Sequence, residues 1–199
     1  MASTYPKQIT LRSGARVDLR PLDSRDTQPL IDFFAGLPAE STQFLKHNVC
    51  DPDVVRGFLK SDPNSIWAIV AVTADGIIVG DATLHMTQLG WRRHVGEVRV
   101  VVATEYHKQG LATQLIRELV NQASLKELRK LKAEILDSQT GARRAFERLG
   151  FVEEARLKQH ALSFDGHLHD IVILTNTVDD LWQKMQDLIS DMEYARDTY

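Results

Sequence analysis

The sequence predicts an α/β fold, a mixed sheet with helices on its faces, from three observations. β-Prone runs alternate with amphipathic helical patterns through most of the chain, no repeat or linker divides its 199 residues, and 43% apolar with 26% charged residues supplies a packed core. The single cysteine, Cys50, can form neither an intramolecular disulfide nor a thiolate metal cluster, so the architecture rests on packing.

Each element has a local reason. Ile9 to Leu11 and Val17 to Leu19 read as a hairpin closed through Ser13 and Gly14. Asp26 is placed to cap a helix carrying Leu30, Ile31, Phe33 and Phe34, which Gly36 and Pro38 stop. After an irregular stretch from Ala39 to Asp51, Asp53 to Lys60 suits a short helix with Val54, Val55, Phe58 and Leu59 on its buried side. Ile66 to Thr73 and Ile77 to Thr87 are strands joined by an Asp75-Gly76 turn, and Glu97 to Val102 is a third β-prone run.

Leu111 to Leu128 carries a continuous apolar stripe at helical spacing. A strand at Leu131 to Leu136, a helix at Thr140 to Leu149 ended by Gly150, and two strands joined at Asp165-Gly166 follow. In the first of those strands, Phe151 to Leu162, the core positions are Val152, Ala155 and Leu157. Val178 to Tyr194 closes the chain as an amphipathic helix with Leu181, Trp182, Met185, Leu188, Ile189 and Met192.

Composition narrows the function classes. A formal net charge of -3 argues against nucleic-acid binding through a broad basic face. The apolar run from Ile66 to Val72 is far shorter than the about 20 residues of a membrane span, and the first residues hold no apolar signal core, so a cytoplasmic protein without a membrane partner is the expectation. Neither GxGxxG nor GxxxxGK[ST] occurs. His160, His167 and His169 sit near one hairpin, but no HExxH spacing occurs, and no metal is expected.

The link from Val102 to Leu111 joins a strand to a helix through Gly110. Glycine lets the backbone pass close to a ligand, and the free amides of a helix start converge on an anion. The alternative is an ordinary helix start capped by Thr104 or Glu105.

At this link the chain resembles the GCN5-related N-acetyltransferase (GNAT) superfamily. Its signature, Arg or Gln, two residues, Gly, one residue, then Gly or Ala, is similar to His107-Lys108-Gln109-Gly110-Leu111-Ala112, with His107 departing from the pattern. A second block resembles Gln139, Ala142, Phe146 and Gly150-Phe151 at the family's spacing, with Gln139 where Asn is usual.

The resemblance implies a mostly antiparallel central sheet flanked by helices over residues 1–176, the acyl-CoA N-acyltransferase fold, with an added C-terminal helix over 177–199. It implies acetyl-CoA as acyl donor, its pantetheine arm along Val100, Val101 and Val102 and its pyrophosphate on the amides of Gln109, Gly110, Leu111, Ala112 and Thr113. His107 or Lys108 would add charge, and Gln139, Ala142 and Phe146 would line the cofactor side.

Glu97 is the candidate general base, sharing a strand face with Arg99. Where similar enzymes carry a tyrosine acid, Phe146 has no proton to give, which leaves solvent, Tyr106 or an unprotonated thiolate. The acceptor is a small amine or a protein amine, and Asp170 is a candidate amine contact. The last helix packs on its own domain or pairs with a second subunit as a homodimer. An acyl-CoA-binding sensor without turnover is the alternative.

Overall fold

A computed structural model describes residues 4–38, 42, 51–163 and 165–186. Eight strands form one sheet: β1 (Lys7–Thr10), β2 (Arg16–Pro21), β3 (Ile66–Val72), β4 (Ile78–Met86), β5 (Val95–Val102), β6 (Lys130–Leu136), β7 (Val152–Leu162) and β8 (Leu168–Thr177). The helices are α1 (Thr27–Ala35), α2 (Pro52–Leu59), α3 (Leu111–Leu125), α4 (Thr140–Arg148) and α5, described over 178–186. The strand order is β1-β2-β3-β4-β5-β6-β8-β7. Only β5 and β6 run parallel, so the sheet is mixed and mostly antiparallel.

Alternation along β3 divides the apolar residues between two faces. Ile69 and Ala71 join a large cluster with Leu111, Leu115, Ile116 and Leu119 of α3 and Phe146 of α4. Val70 and Val72 join Leu30, Phe33 and Phe34 of α1 and Val55 of α2 on the opposite face. Leu115 and Leu119 are wholly inaccessible, and each buried leucine is worth roughly 2–3 kcal/mol of transfer free energy. That burial fixes α3, and through it the glycine turn at its head, against the sheet.

Several expected boundaries shift for identifiable reasons. β5 starts at Val95 because that residue and Gly96 pair with Lys130 and Leu131. Helix α3 stops at Leu125: Glu127 turns left-handed with φ 56 and the Leu128 N–H reaches the Ala123 carbonyl at 3.0 Å. This closure buries Leu128, so its apolar character fits the helical pattern although it lies past the end.

Asp26 does not cap α1 with its side chain. Its carboxylate accepts two 2.7 Å hydrogen bonds from Arg20 and one from the Asp23 N–H, closing the turn before α1. Val152, expected in the core, is 59% exposed, while Ala155 and Leu157 are half-buried. β7 is the edge strand, and register shifts at Glu153/Ala155 and Leu157/Ala161 break its alternation.

Val178, Leu181 and Met185 of α5 are buried in the same cluster as α3, so the start of this helix packs on its own domain. Leu188, Ile189 and Met192 lie outside the described residues, as does Cys50. No helix among the described residues is long and apolar enough to cross a membrane.

Candidate active site

The site begins where two strands part. β5 pairs with β4 along its length, from Met86↔Gly96 to Gly80↔Val102. Its pairing with β6 covers only Val95↔Lys130, Gly96↔Leu131 and Glu97↔Lys132, after which β6 follows β8 as far as Leu136↔Ile171. The Ala103 N–H points to β4, onto the Val79 carbonyl at 3.0 Å. By alternation, the backbone groups of Val100 and Val102 face the opening between β5 and β6. Val101, between them, turns its backbone to β4 and its side chain to the α1/α2 face. Val100 and Val102 pack their side chains on the α3 side.

Close packing closes the root of this wedge. A Cβ on Gly96 would lie 2.8–2.9 Å from Leu84, Leu128 and Leu131, so only glycine lets those leucines meet there. The upper end leads to the glycine turn. Lys108 has φ 60 and Gly110 φ 93, a left-handed pair that redirects the chain into α3. The first helical bond there runs from the Gln114 N–H to the Gly110 carbonyl at 3.1 Å. The amides of Leu111, Ala112 and Thr113 precede it and are free for an acceptor from outside the helix.

The β1-β2 turn braces this cradle. Arg12 donates its N–H to the Gln109 carbonyl at 3.2 Å, and Ser13 donates its hydroxyl to the Gln109 side-chain oxygen at 2.5 Å. His107 does not project over the helix start: its Nε2–H donates to the Val102 carbonyl at 2.9 Å, on the open edge itself. Lys108 is exposed beside the turn.

The second sequence block lies on the same side. Gln139 accepts from the Leu136 N–H at 3.0 Å through its side-chain oxygen, closing the end of β6. Ala142 is half-buried against the α3 cluster. Phe146 is buried edge-on to Phe151 with ring centroids 5.1 Å apart, a packing position with no polar atom to offer.

The opposite face of the wedge is charged. Glu97 accepts from Arg99 Nε at 3.0 Å through one oxygen and faces Lys132 Nζ at 3.0 Å through the other. Lys132 continues to Glu134 at 2.6 Å. Burial opposes charge on Lys132, but hydrogen bonds and attraction from Glu134 and Glu97 outweigh it and hold its pKa above the ordinary lysine value. Opposite Glu97 in β4 stands His85, with Nε2 3.0 Å from the Thr83 hydroxyl and its ring 5.9 Å from Phe58 of α2.

Asp170, the candidate amine contact, and the acidic residues at the start of α2 serve local structure. Asp170 accepts from the Gln159 N–H at 2.9 Å at a β7 irregularity and lies 3.6 Å from Arg156. Asp51 caps α2 through the Asp53 N–H, and Asp53 pairs with Arg56. Among the described residues no group of three His, Cys, Asp or Glu could hold a metal ion.

The acetyltransferase (GNAT) family model matches residues 33–151, more than half of the chain and all of the wedge, glycine turn and second block. The chain belongs to the GNAT family. Solved structures share the fold. The GNAT domain of S. lividans PAT is 19% identical, with a TM-score of 0.71 over 86% of this chain and 96% of that one. The ribosomal-protein-S5-alanine acetyltransferase of Vibrio fischeri is 18% identical, with a TM-score of 0.71 over 83% and 94%. Salmonella typhimurium yncA, solved with acetyl-CoA, is 17% identical, with a TM-score of 0.70 over 81% and 94%. At these identities the likeness is one of fold. Sequence comparison with curated proteins finds no match.

One buried acid of this GNAT domain lies outside both sequence blocks. Asp81 stands in β4 opposite Val70 and Val101, only 6% exposed, and its Oδ1 is buried without a hydrogen-bond partner. Burial pushes its pKa up to about 7. The signal was present in IVGDATL, an acid inside an apolar strand, but no family motif passes through it.

The folded-state pKa of Asp81 lies above the unfolded value, so the native state binds the proton more tightly. Its contribution to stability is present at low pH and lost as pH rises from about 4 through about 7. Compared with Asp81→Asn, the natural protein is expected to lose roughly 2–3 kcal/mol between pH 5 and pH 8. Urea unfolding of both proteins at the two pH values measures this; a constant difference would refute it.

Proposed function

We propose that this protein is an acyl-CoA-dependent N-acyltransferase that moves an acetyl group from acetyl-CoA to a primary amine by direct attack in a ternary complex. The observation that carries the reading is the continuous path from the β5 edge at Val100 and Val102, which pairs with no strand of the described residues, to the free amides at the head of α3. An extended pantetheine arm can add to such an edge as a further strand, and a pyrophosphate suits the amides and the positive end of the helix. The open space at Gly110, where an added Cβ would meet nothing within 4 Å, leaves room for that approach.

Because His107 already donates to Val102, the arm finds its free carbonyl at Val100, and Lys108 supplies the cation near the phosphates. Gln139 holds its oxygen on Leu136 and can offer its amide N–H groups to the arm. The acceptor amine approaches on the Glu97 face, where acidic side chains attract an ammonium group. Glu97 takes its proton, the neutral nitrogen attacks the thioester carbonyl, and the C–S electron pair leaves on sulfur. Backbone donors at the β5 edge supply the polarisation of the carbonyl oxygen.

A sensor that binds acyl-CoA without turnover is the second reading. It is supported by Phe146, which packs in the core with nothing to protonate the leaving thiolate. We also propose that residues after 186 pair two copies of the chain, since Leu188, Ile189 and Met192 continue the apolar stripe of α5.

Calorimetry should detect acetyl-CoA binding, and free thiol should appear with at least one member of an amine panel; binding without thiol release on any amine would favour the sensor. Glu97→Gln is expected to leave acetyl-CoA affinity within about twofold while lowering turnover by a factor of about 100; unchanged turnover would remove Glu97 as base. Light scattering should give a dimer mass for the full chain and a monomer mass without residues 187–199, and a monomeric full chain would refute the pairing.

A further inference from the structure

Arg99 engages only part of its guanidinium. Its Nε donates to Glu97 at 3.0 Å, its two Nη groups have no acceptor among the described residues, and 29% of the side chain stays accessible. A guanidinium carries its N–H donors in a fixed fork, so the bond on Nε leaves the Nη groups with donors for a further acceptor.

The neighbours explain why that fork stays open. Arg99 lies two residues past Glu97, the last β5 residue paired with β6, so it stands beside the opening of the wedge. Across β4 is Thr83, whose hydroxyl lies 3.0 Å from His85 Nε2. Further along β5, Val101 turns its side chain into the apolar cluster of α1 and α2. On β6, Glu134 faces Lys132 at 2.6 Å, and Lys132 reaches the second oxygen of Glu97 at 3.0 Å. Among the described residues no second carboxylate accepts from Arg99.

Arg99, Glu97, Lys132 and Glu134 present two cations and two acids in alternation, without net charge. A molecule that matches them carries both signs close together. In an α-amino acid the nitrogen and a carboxylate oxygen lie about 3 Å apart across the α-carbon, and Arg99 Nε sits 3.0 Å from the Glu97 oxygen that it bonds. The spacing of acid and fork thus repeats the spacing of the two charges. A guanidinium also meets a carboxylate through two parallel hydrogen bonds, the strong form of that pair. A polyamine or a lysine side chain offers Arg99 no acceptor and sets an ammonium beside a guanidinium. A peptide N-terminus offers a neutral carbonyl, a weaker acceptor.

We propose that the acceptor is a free α-amino acid, held with its ammonium on Glu97 and its carboxylate on the Nη groups of Arg99. This rests on the acyltransfer reading above and names the substrate class of the same site. Arg99 is then a specificity residue: it selects the carboxylate and so sets the amine against the base.

The test is thiol release by the full chain with acetyl-CoA and the common α-amino acids, their carboxamides, and the corresponding amines that lack the carboxylate. The proposal expects the best amino acid to exceed its carboxamide and its carboxylate-free amine in kcat/KM by roughly 100-fold. Arg99→Gln should bring that ratio to about one, mainly by raising KM for the amino acid. A merely structural Arg99 would lower activity on every acceptor alike and leave the ratio as it was, which overturns the proposal. Equal kcat/KM for amino acid and carboxamide in the natural protein overturns it whether or not the variant folds. Thiol release on polyamines or peptides but on no amino acid defeats this proposal alone, whereas no thiol release on any amine defeats the acyltransfer reading and this one with it.

Discussion

Everything in the site depends on β5 and β6 separating after three paired residues. Each strand keeps a committed partner on its far side: β5 stays with β4 to Val102, and β6 stays with β8 to Leu136. With both strands held on their far sides, the central parallel pair is joined only from Val95 to Glu97 and opens beyond it. The root is locked where Gly96 lets three leucines come together, so the strands diverge from a fixed point. The result is a backbone edge inside the sheet, and such an edge is a template for any extended chain that offers complementary groups.

The rest of the domain makes that edge usable. Helix α3 is held by its buried leucine face, which aims the glycine turn at the upper end of the wedge. The β1-β2 turn grips Gln109 from outside and stiffens the loop without using the amides of the helix start. On the α1/α2 face, Arg99, Glu97, Lys132 and Glu134 follow one another with alternating sign, so the charges fix one another while the face stays polar. The proposed binding of phosphate by local amides is compatible with a net charge of -3.

The sequence disclosed much of this through spacing. The Glu97–Arg99 pair follows from period-two alternation, and the glycine turn follows from Gly110 between a β-prone run and an amphipathic stripe. What it could not disclose depended on which strands become neighbours. Lys132 reaches Glu97 only because β6 lies parallel to β5, a pairing between segments 35 residues apart. Val152 is apolar and β-prone, yet its strand ends at the sheet edge. His107 turns back onto Val102, whereas its place in the motif suggested a phosphate contact. Asp81 required the knowledge that β4 is covered by α1 and α2 on one face and by α3 on the other.

The acyl donor is proposed to occupy the opening between β5 and β6. Amide hydrogen exchange resolved to single residues, with and without acetyl-CoA, tests it most directly. With the donor in that opening, the Val100 and Val102 amides and those of Leu111 to Thr113 gain protection, while the Arg99 and Val101 amides, already paired with β4, change little. Protection elsewhere on the molecule, with the Val100 and Val102 amides exchanging as fast as before, would contradict it.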